Sequence, residues 1–587
     1  MSSTKGGFQL PIYYVANKRE LPSNLIDDLE LNQLKEDSSA CIYDTIFTNQ
    51  TEVGRSTYPL WRQHYTWDSS FLKDTQSFLS SDFVTNLGDM SGNEEVAAVR
   101  DNLDALHSED NFAEKYHYLE WEWCQTLNKN PTFMQASAFY SLTSPVISLL
   151  LPIILLIVPF FLLRLKGATL TLGTYLELLK QVIKYHAFGR LFSEFGNVGW
   201  DKRFYLLMSA GFYMFQVYQN ACSCYRFHKN MRRIHETLIT IKHHLNRTTQ
   251  LMEDCETTMK SLTTYEPFIE DMTIQRDVLV KLRDCLQNIS PYGLSFRKIG
   301  EVGLAMSYFY ELKTNDAYKN AIQYSFFFHG YLENVASIRQ QQLKGLVNPS
   351  EFGTTDKSTK LKNVVYPPLL RRAGLTTTKN TIDLRKSQII TGPNASGKTT
   401  LLKTILLNVI LTQQFGCGYY KSAKTMLYTH LHCYLNIPDT SGRDSLFQAE
   451  ARRCKEILDT IKNADHKSNH LCIFDELYSG TNPYEAIASA SSFLEYIKTL
   501  PSVTFFLTTH FCAVCRVTKE CSSISNFHME TIPILSRGND SVVEYEYTFK
   551  EKSGVSQHRG GISVLRDLGY PEELVKRAQT IIRSVSI

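Results

Sequence analysis

Several features that would narrow the class of protein are missing from this 587-residue sequence. Its thirteen cysteines follow no regular spacing, so no disulfide framework is indicated and a reducing compartment is expected. Glycine and proline are too sparse for a collagen-like or low-complexity chain. The first 40 residues lack a continuous apolar run behind a basic start, so no signal peptide is predicted. The remaining composition is that of a globular protein, and the length predicts three or four structural units.

An excess of charge of either sign is also absent overall, because the net charge is only +3. This balance hides an asymmetry. Residues 1–130 carry 21 acidic and 10 basic side chains, a balance of −11, so the rest of the chain carries about +14. A basic excess of this kind is compatible with nucleic acid, with anionic lipid or with a merely solvated surface, and charge alone does not choose among them.

Charged residues are missing from one long stretch, Pro131 to Leu163. Within it, Pro145–Leu163 is apolar and long enough to cross a bilayer as a helix. A second uncharged stretch, Phe204–Tyr225, is less apolar but aromatic at both ends. The alternative is a buried core helix, although such a helix normally keeps a polar stripe. The two segments predict a transmembrane hairpin, and the prolines inside the first leave a re-entrant hairpin open.

Basic residues directly after the second hydrophobic segment suggest its orientation. They are Arg226, Lys229, Arg232, Arg233, Lys242 and Arg247, against the single acid Glu236. By the positive-inside tendency, the C-terminal half of the chain is expected on the cytosolic side of the membrane. The sequence therefore predicts an integral membrane protein, although the loop between the two segments is also basic.

A phosphate-binding loop is the strongest motif in the sequence. An apolar strand pattern at Ser387–Thr391 runs into a glycine-rich loop and then a helical pattern. Backbone N–H groups of such a loop cradle phosphates at a helix N-terminus. Lys398 is expected to bind the β- and γ-phosphates, and the Thr399 hydroxyl is expected to hold Mg²⁺. The predicted nucleotide-binding residues are Gly392, Pro393, Asn394, Ala395, Ser396, Gly397, Lys398, Thr399 and Thr400.

Two further strand ends carry the side chains that a phosphate loop requires. The apolar strand 471–474 ends in Asp475 and Glu476, which are expected to ligate Mg²⁺ and to polarise the attacking water, respectively. The strand Val503–Leu507 ends in Thr508, Thr509 and His510, and His510 is predicted to sense the γ-phosphate. In isolation, surface carboxylates or a structural histidine would be the more common interpretation of these strand ends.

Taken in order, these motifs resemble the ATPase domain of the MutS family. The segments on which the resemblance rests are ITGPNASGKTT at 390–400, FDELYSGTNPYEA at 474–486 and LTTHF at 507–511. The segment 441–450, SGRDSLFQAE, is similar to the family segment whose serine reaches the nucleotide of the opposite subunit. The resemblance implies that Ser445 is this residue, that the sites are composite and that the protein is a dimer, most simply a homodimer. It also implies that ATP and Mg²⁺ are bound and that Asn380 lies near the base.

The sequence also departs from the family pattern. The segment that resembles the start of the MutS core begins near residue 25, so no mismatch-reading domain is expected ahead of it. Three positions before Asn380, where the family has an aromatic residue, this sequence has Thr377. Ser479 stands where bacterial mismatch proteins have arginine. The chain therefore resembles membrane-anchored MutS-like proteins, in which two hydrophobic segments interrupt the lever helices.

The expected fold is an α/β P-loop NTPase, of the ABC type found in MutS, at the C-terminus. An all-α core and lever domain, interrupted by the hydrophobic transmembrane hairpin, is expected to precede it. The predicted boundaries are an acidic helical segment at 1–130, a membrane region at 131–225 with spans near 145–163 and 204–225, a helical lever and core domain at 226–348, a linker at 349–363 and the ATPase domain with its closing helices at 364–587.

The function predicted from these observations is a membrane-anchored, dimeric MutS-like ATPase. Its ATP binding and hydrolysis are expected to be coupled to DNA binding without mismatch recognition. One alternative is an ATP-binding-cassette transport subunit, although the Leu-Ser-Gly-Gly-Gln signature is missing. A nucleotide-binding scaffold without turnover is the other alternative, and Lys398, Asp475 and Glu476 argue against it.

Overall fold

A computed structural model of the chain describes most, but not all, of the residues. The described ranges are 7–31, 41–48, 51–87, 93–165, 198–293, 300–353, 359–371, 377–435, 445–500, 502–520, 523–535, 543–556 and 568–584, with isolated positions between 173 and 196 and at 565. All statements below concern these residues.

The secondary structure is mainly helical before residue 348 and mixed after it. The α-helices are α1 Ser23–Asp28, α2 Ile42–Ile46, α3 Glu52–Arg55, α4 Tyr58–Trp61, α5 Ser69–Leu79, α6 Asp82–Leu87, α7 Asn93–His107, α8 Phe112–Tyr116, α9 Pro131–Leu165, α10 Trp200–Met259, α11 Glu266–Leu286, α12 Val302–Thr314, α13 Asp316–Leu343, α14 Lys398–Phe415, α15 Leu446–Asn463, α16 Pro483–Lys498, α17 Cys512–Val517 and α18 Glu572–Ser584. The strands are β1 Lys18–Glu20, β2 His64–Thr66, β3 Asn348–Phe352, β4 Lys360–Val364, β5 Asn380–Asp383, β6 Ser387–Thr391, β7 Cys417–Gly418, β8 Ser422–Thr425, β9 His430–Tyr434, β10 His470–Asp475, β11 Val503–Thr509, β12 Ile524–Leu535 and β13 Val543–Ser553.

The chain divides into two compact units. The helical unit comprises Glu95–Leu251 and Ile274–Ser325, and the α/β unit comprises Gly7–Glu94, Met252–Thr273 and Phe326–Ile587. Neither unit is continuous in sequence. The domain boundaries predicted from the sequence stay predictions.

The core of the helical unit is organised around one face of α10. Apolar side chains that recur at alternating steps of four and three residues are fully buried, which is the spacing of a helix seam packed against other helices. They are Phe227, Met231, Ile234, Leu238, Ile241 and Leu245. Elsewhere in this unit α12 approaches α9 closely, because a Cβ atom on Gly303 would lie 2.4 Å from the carbonyl oxygen of Pro131. A side chain at that position would force the two helices apart.

The predicted transmembrane location is contradicted by the structure. The segments concerned fall in α9 and α10. Across the part of the chain that the structure describes, no helix combines enough length with enough apolarity to cross a membrane. The prediction of an integral membrane protein whose ATPase domain faces the cytosol is therefore wrong.

The composition of the second segment explains why it does not qualify as a span. Gln216, Gln219 and Asn220 interrupt Phe204–Tyr225, and the helix continues without a break into the strongly charged sequence that follows. For Pro145–Leu163, the side chains from 151 onward lie outside the described residues. An uncharged run is thus a weaker criterion than the hydropathy of a complete helical window.

The α/β unit is built on a six-stranded sheet in the order β13-β12-β6-β11-β10-β9. Strands β9, β10, β11, β6 and β12 run parallel, and β13 pairs antiparallel with β12. The central strands are buried, as expected for a parallel sheet covered on both faces. Their carboxyl ends lie side by side, since Thr508 of β11 pairs with both Asp475 of β10 and Ile390 of β6. This edge of the sheet brings together segments that are far apart in sequence.

A five-stranded sheet and helix α14 complete this unit. The second sheet has the order β5-β4-β8-β3-β7 and carries Asn380 at the start of β5. Helix α14 is buried along almost its whole length. Its last turn is fixed by two glutamine side chains: Gln413 donates to the carbonyl oxygen of Thr66 (2.9 Å), and Gln414 donates to that of His64 (3.0 Å). The helix is therefore held by residues more than 300 positions earlier in the chain.

Three histidines stack at the β9 edge of the large sheet. His430 and His432 alternate on β9, and His470 lies opposite them on β10, with ring centroids 4.3 Å (His430–His470) and 5.3 Å (His432–His470) apart. All three are buried. Burial, together with the charges of neighbouring histidines and Arg19, lowers the pKa to about 3 for His430 and His432 and to about 4 for His470.

The histidine cluster predicts a loss of stability in mild acid. In the unfolded chain these residues take up protons near pH 6.5, whereas the folded state excludes the protons until the pH falls to the lowered pKa values. Stability is therefore complete above about pH 6.5 and falls below it, by up to about 1.4 kcal/mol per pH unit for each histidine. Chemical unfolding measured between about pH 7 and 4.5 should show this slope.

The matched variants are His430→Gln, in the cluster, and His466→Gln, on an exposed residue. His430→Gln should flatten the dependence of the unfolding free energy on pH, and His466→Gln should leave it unchanged. An equal slope in wild type and His430→Gln would contradict the assignment.

Candidate functional site

The glycine-rich loop connects the carboxyl end of β6 to the first residue of α14. Two of its residues adopt left-handed backbone conformations, Ala395 with φ 63° and Gly397 with φ 90°. The loop is tightly wound: the Ser396 hydroxyl donates to the carbonyl oxygen of Pro393 (2.8 Å), and a Cβ atom on Gly392 would lie 2.9 Å from that hydroxyl. This strand, loop and helix arrangement turns backbone N–H groups toward the space ahead of the α14 N-terminus, which favours anions.

Lys398 lies across this loop. Its Nζ donates to the carbonyl oxygens of Gly392 (2.9 Å) and Pro393 (3.0 Å), and it lies 3.9 Å from Oε1 of Glu476. Burial lowers the pKa of the ammonium group, while the charges of Glu476 and Asp475 oppose this effect. A buried cation with only carbonyl and carboxylate neighbours is well placed to meet an anionic ligand.

Asp475 joins the end of β10 to both neighbouring segments. The Thr399 hydroxyl donates to its Oδ2 (2.7 Å), and the Thr508 hydroxyl donates to its Oδ1. Burial raises the pKa of Asp475, and the two hydroxyl donors lower it by a smaller amount. Thr399 and Asp475 thus form an adjacent pair of hard oxygen ligands, the donor type that Mg²⁺ prefers. Among the described residues no group of three or more His, Cys, Asp or Glu is arranged to hold a metal, so this pair fits an ion that completes its shell from phosphate and water.

Glu476 follows directly and has the opposite electrostatics. Its Oε1 lies 3.4 Å from Nδ1 of His510, and this hydrogen bond is the main cause of a lowered pKa, with burial acting against it. Its backbone is in the left-handed region, with φ 52°, and its N–H donates to the carbonyl oxygen of Thr508 (2.9 Å). This conformation costs a residue other than glycine roughly 1–2 kcal/mol, so the surrounding contacts hold it in place. The pKa values of the two neighbouring carboxyl groups, Asp475 and Glu476, are therefore shifted in opposite directions.

A cavity of about 820 Å³ opens beside these groups. Its polar lining includes the predicted residues Asn394, Ala395, Gly397 and Thr400, together with Lys398, Thr399, Asp475 and Glu476. The apolar or neutral part of its lining consists of Val364, Tyr366, Leu369, Thr377, Thr378, Leu401, Tyr434, Leu435 and Leu446. The size and the mixed lining fit a ligand with an anionic part and an apolar part.

Asn380 and Ser445, the two residues inferred only from the resemblance, occupy different positions. Asn380 lines the cavity, and its Oδ1 accepts the backbone N–H of Glu551 (3.0 Å). Ser445 is exposed and caps α15, where its hydroxyl accepts the N–H of Gln448 (3.3 Å) and the Gln448 side chain bonds back to its N–H. Leu446, the next residue, lines the cavity, but Ser445 itself does not.

Sequence reasoning missed several residues that shape the site. Thr508 holds Asp475, and Glu450 of α15 lines the cavity although it is nearly 60 positions from the loop. Tyr366 and Tyr434 belong to the apolar or neutral part of the cavity lining. A threonine at the end of a strand beside the acidic strand was a usable signal for Thr508. Glu450 and the tyrosines carry no local signal, because only the tertiary fold brings them to the cavity.

Comparison with known proteins identifies the family. The domain family described as MutS domain V matches residues 388–586. The chain therefore carries a MutS-family domain at these residues. It is 30% identical over 239 residues to the Endonuclease MutS2 of Staphylococcus carnosus (strain TM300), which covers 39% of this chain and 28% of that protein. It is 30% identical over 211 residues to the DNA mismatch repair protein MutS of Streptococcus uberis (strain ATCC BAA-854 / 0140J), which covers 35% of this chain and 23% of that protein.

The similarity is confined to part of each molecule. A third relative, the DNA mismatch repair protein MutS of Streptococcus equi subsp. equi (strain 4047), is 31% identical over 197 residues, which is 33% of this chain and 22% of that protein. This MutS-family chain thus spans less than a third of the length of the curated relatives it matches. Membership rests on the domain that holds the site described above.

The raised pKa of Asp475 predicts that its ionised carboxylate lowers the stability of the folded chain. A carboxyl group whose folded pKa lies above its unfolded value destabilises the fold at any pH where it is ionised, and this cost disappears as the pH falls through the folded pKa. Asp475→Asn should therefore raise the midpoint of thermal unfolding at about pH 8, and the difference from wild type should shrink toward acid pH. Asp459→Asn, on an exposed part of α15, is the control and should have little effect. A lower midpoint for Asp475→Asn at about pH 8 would refute the sign of this assignment.

Proposed function

We propose that this MutS-family chain binds Mg-ATP in the cavity beside the glycine-rich loop and hydrolyses it. The observation that carries the proposal is the convergence of Lys398, the Thr399–Asp475 pair and Glu476 at one edge of the sheet, next to an 820 Å³ cavity. These groups supply charge neutralisation, metal ligation and water activation at adjoining positions, which phosphoryl transfer to water requires.

The loop and Lys398 bind the triphosphate. Backbone N–H groups of the glycine-rich loop, other than at Pro393, and of the α14 N-terminus donate to phosphate oxygens, and Lys398 exchanges its contacts with loop carbonyl oxygens for contacts with phosphate oxygens. Thr399 and Asp475 would hold Mg²⁺ at the same end of the cavity. When bound, Mg²⁺ neutralises charge that develops on the phosphate oxygens. The raised pKa of Asp475 favours binding of the cation, because a nearby positive charge stabilises the ionised carboxylate.

Glu476 and His510 act on the attacking water. Because its pKa is lowered, Glu476 stays ionised at neutral pH and accepts a hydrogen bond from water, which orients the water oxygen toward the terminal phosphate. His510 shares Oε1 of Glu476 and can respond to the charge of that phosphate. The base of the nucleotide contacts the apolar or neutral part of the cavity lining, and Asn380, which also lines the cavity, offers it a polar contact.

Composite sites in a homodimer are part of the proposal. Ser445 is exposed at the N-terminus of α15, so its hydroxyl is accessible to a second subunit. A helix N-terminus of this length favours an anionic group such as the triphosphate of the partner's nucleotide. The capping contact with Gln448 orients Ser445 for this role.

DNA binding coupled to the nucleotide cycle is supported by the relatives and by charge. Two of the relatives are named as DNA mismatch repair proteins and another as an endonuclease. Residues after 130 carry a net charge of about +14, which suits a polyanionic partner. Recognition of mismatches is not part of the proposal.

The first test separates nucleotide binding from turnover. Glu476→Gln should retain Mg-ATP binding and lose turnover by about 10²–10⁴-fold, because the amide accepts a weaker hydrogen bond from the attacking water. Lys398→Ala should lose binding itself, because the buried cation that faces the phosphates is removed. The measurements are equilibrium binding of a fluorescent ATP analogue and steady-state phosphate release by the full chain.

Glu495→Gln, on the exposed face of α16, is the matched control and should behave as wild type in both measurements. Undiminished turnover by Glu476→Gln would show that the water is activated elsewhere. Failure of the wild-type chain to bind Mg-ATP would remove the proposal as a whole.

The second test concerns DNA. If nucleotide and DNA binding are coupled, duplex or branched DNA should change the rate of phosphate release, and the effect should weaken steeply between about 0.05 and 0.2 M salt as phosphate contacts are screened. Lys398→Ala should retain DNA binding but lose its sensitivity to ATP. A phosphate-release rate that is indifferent to DNA at every salt concentration would refute the coupling.

A further inference from the structure

One buried carboxylate beside the cavity has no part in the mechanism above. Glu450 lies on α15 and is 2% exposed. Its Oε1 accepts the hydroxyl of Ser479 (2.9 Å), and its Oε2 accepts the backbone N–H of Gly480 (3.1 Å). Both donors belong to the turn that follows β10, only three and four residues after Glu476. A carboxylate is rarely buried to this degree without a specific set of partners.

Tyr434 extends this cluster by one residue. Its hydroxyl accepts the backbone N–H of Tyr478 (3.4 Å). Three consecutive residues of the turn, Tyr478, Ser479 and Gly480, are therefore held by hydrogen bonds to Tyr434 or Glu450. The turn is fixed along its length and not at one point.

The first turn of α15 lies directly against the same segment. A Cβ atom on Gly480 would lie 2.8 Å from the side chain of Leu446 and 2.8 Å from the backbone nitrogen of Phe447. The ring of Phe447 also packs on Tyr478, with centroids 5.7 Å apart. Only glycine at position 480 allows this approach, so the first turn of α15 and the turn after β10 are in close contact.

The turn itself holds an unfavourable backbone conformation. Glu476 and Tyr478 both lie in the left-handed region, with φ 52° and 59°. L-residues leave that region unless their surroundings hold them, and the contacts that surround this turn come from Glu450, Tyr434 and α15. These contacts hold the backbone directly after Glu476, whose carboxylate itself contacts His510 and Lys398.

We propose that Glu450 is a positioning residue, which ties α15 to the turn 476–480 and thereby fixes the Glu476 carboxylate toward the attacking water. The inference rests on the proposed function and identifies Glu450 as a residue on which the rate of ATP hydrolysis depends. Because Glu450 acts on Glu476 and not on the phosphate loop, it should govern turnover and not nucleotide affinity.

The experiment uses the full chain and the variants Glu450→Gln and Ser479→Ala. Glutamine keeps the size of Glu450 but removes its charge, and its amide can hold the Ser479 hydroxyl only by donating to it, so both contacts with the turn lose the strength of a charged acceptor. We expect kcat to fall by about 10–100-fold in Glu450→Gln, with KM and the affinity for a fluorescent ATP analogue changed by less than about threefold, because small displacements of a catalytic group act on the chemical step. Ser479→Ala should produce a smaller loss of kcat in the same direction.

Two comparisons distinguish positioning from a general loss of structure. Glu456→Gln changes an exposed carboxylate on the same helix and should turn over as wild type. In the double variant of Glu450→Gln and Ser479→Ala, the loss of kcat should be smaller than the product of the single losses, because both act through one contact. Multiplicative losses, an unchanged kcat in Glu450→Gln, or a fall in nucleotide affinity equal to that in kcat would each overturn the inference. Absence of ATP binding by wild type would instead refute the proposed function.

Discussion

The site depends on the contacts of one carboxylate, Asp475, with hydroxyl groups from two other segments. Thr399 belongs to the helix after β6 and Thr508 belongs to β11, so the two hydrogen bonds connect all three central strands at their carboxyl ends. Removal of either hydroxyl would leave a buried negative charge less well solvated by the protein. The contacts therefore fix the relative positions of the glycine-rich loop, the acidic strand end and the strand that leads to His510.

Adjacent residues at this strand end have opposite chemical tendencies. Burial favours the protonated form of Asp475, whereas the contact with His510 favours the ionised form of Glu476. Under the proposed function, a bound cation offsets the cost of burying the ionised Asp475, and Glu476 accepts a hydrogen bond from water. The proposed function assigns these two residues different tasks, and the backbone at Glu476 lies in the left-handed region, with φ 52°.

The sequence allowed prediction of the parts of the site that are local in the chain. The glycine-rich loop, the acidic pair and His510 each follow a short apolar strand, and parallel strands bring their ends together whatever the intervening sequence. Glu450 and Tyr434 could not be predicted, since a helical carboxylate and a strand tyrosine become cavity residues only through packing. The membrane prediction was wrong because it weighed the lack of charge above the polar residues of the second segment. The discontinuous composition of the α/β unit likewise depends on contacts over several hundred residues.

Helix α14 connects the two ends of the chain more firmly than a boundary near residue 364 suggests. The side-chain amides of Gln413 and Gln414 are satisfied by backbone carbonyl oxygens of the segment 61–66, and the ring of Phe415 lies 4.3 Å from that of Trp61. A fragment that began at the ATPase segment would remove both carbonyl acceptors of Gln414 and one of the two acceptors of Gln413, which keeps Tyr428, and would expose an aromatic face to water. Early residues are therefore part of the scaffold of the candidate site, and a polypeptide emerging from the ribosome cannot complete that scaffold until its last third returns to its first hundred residues.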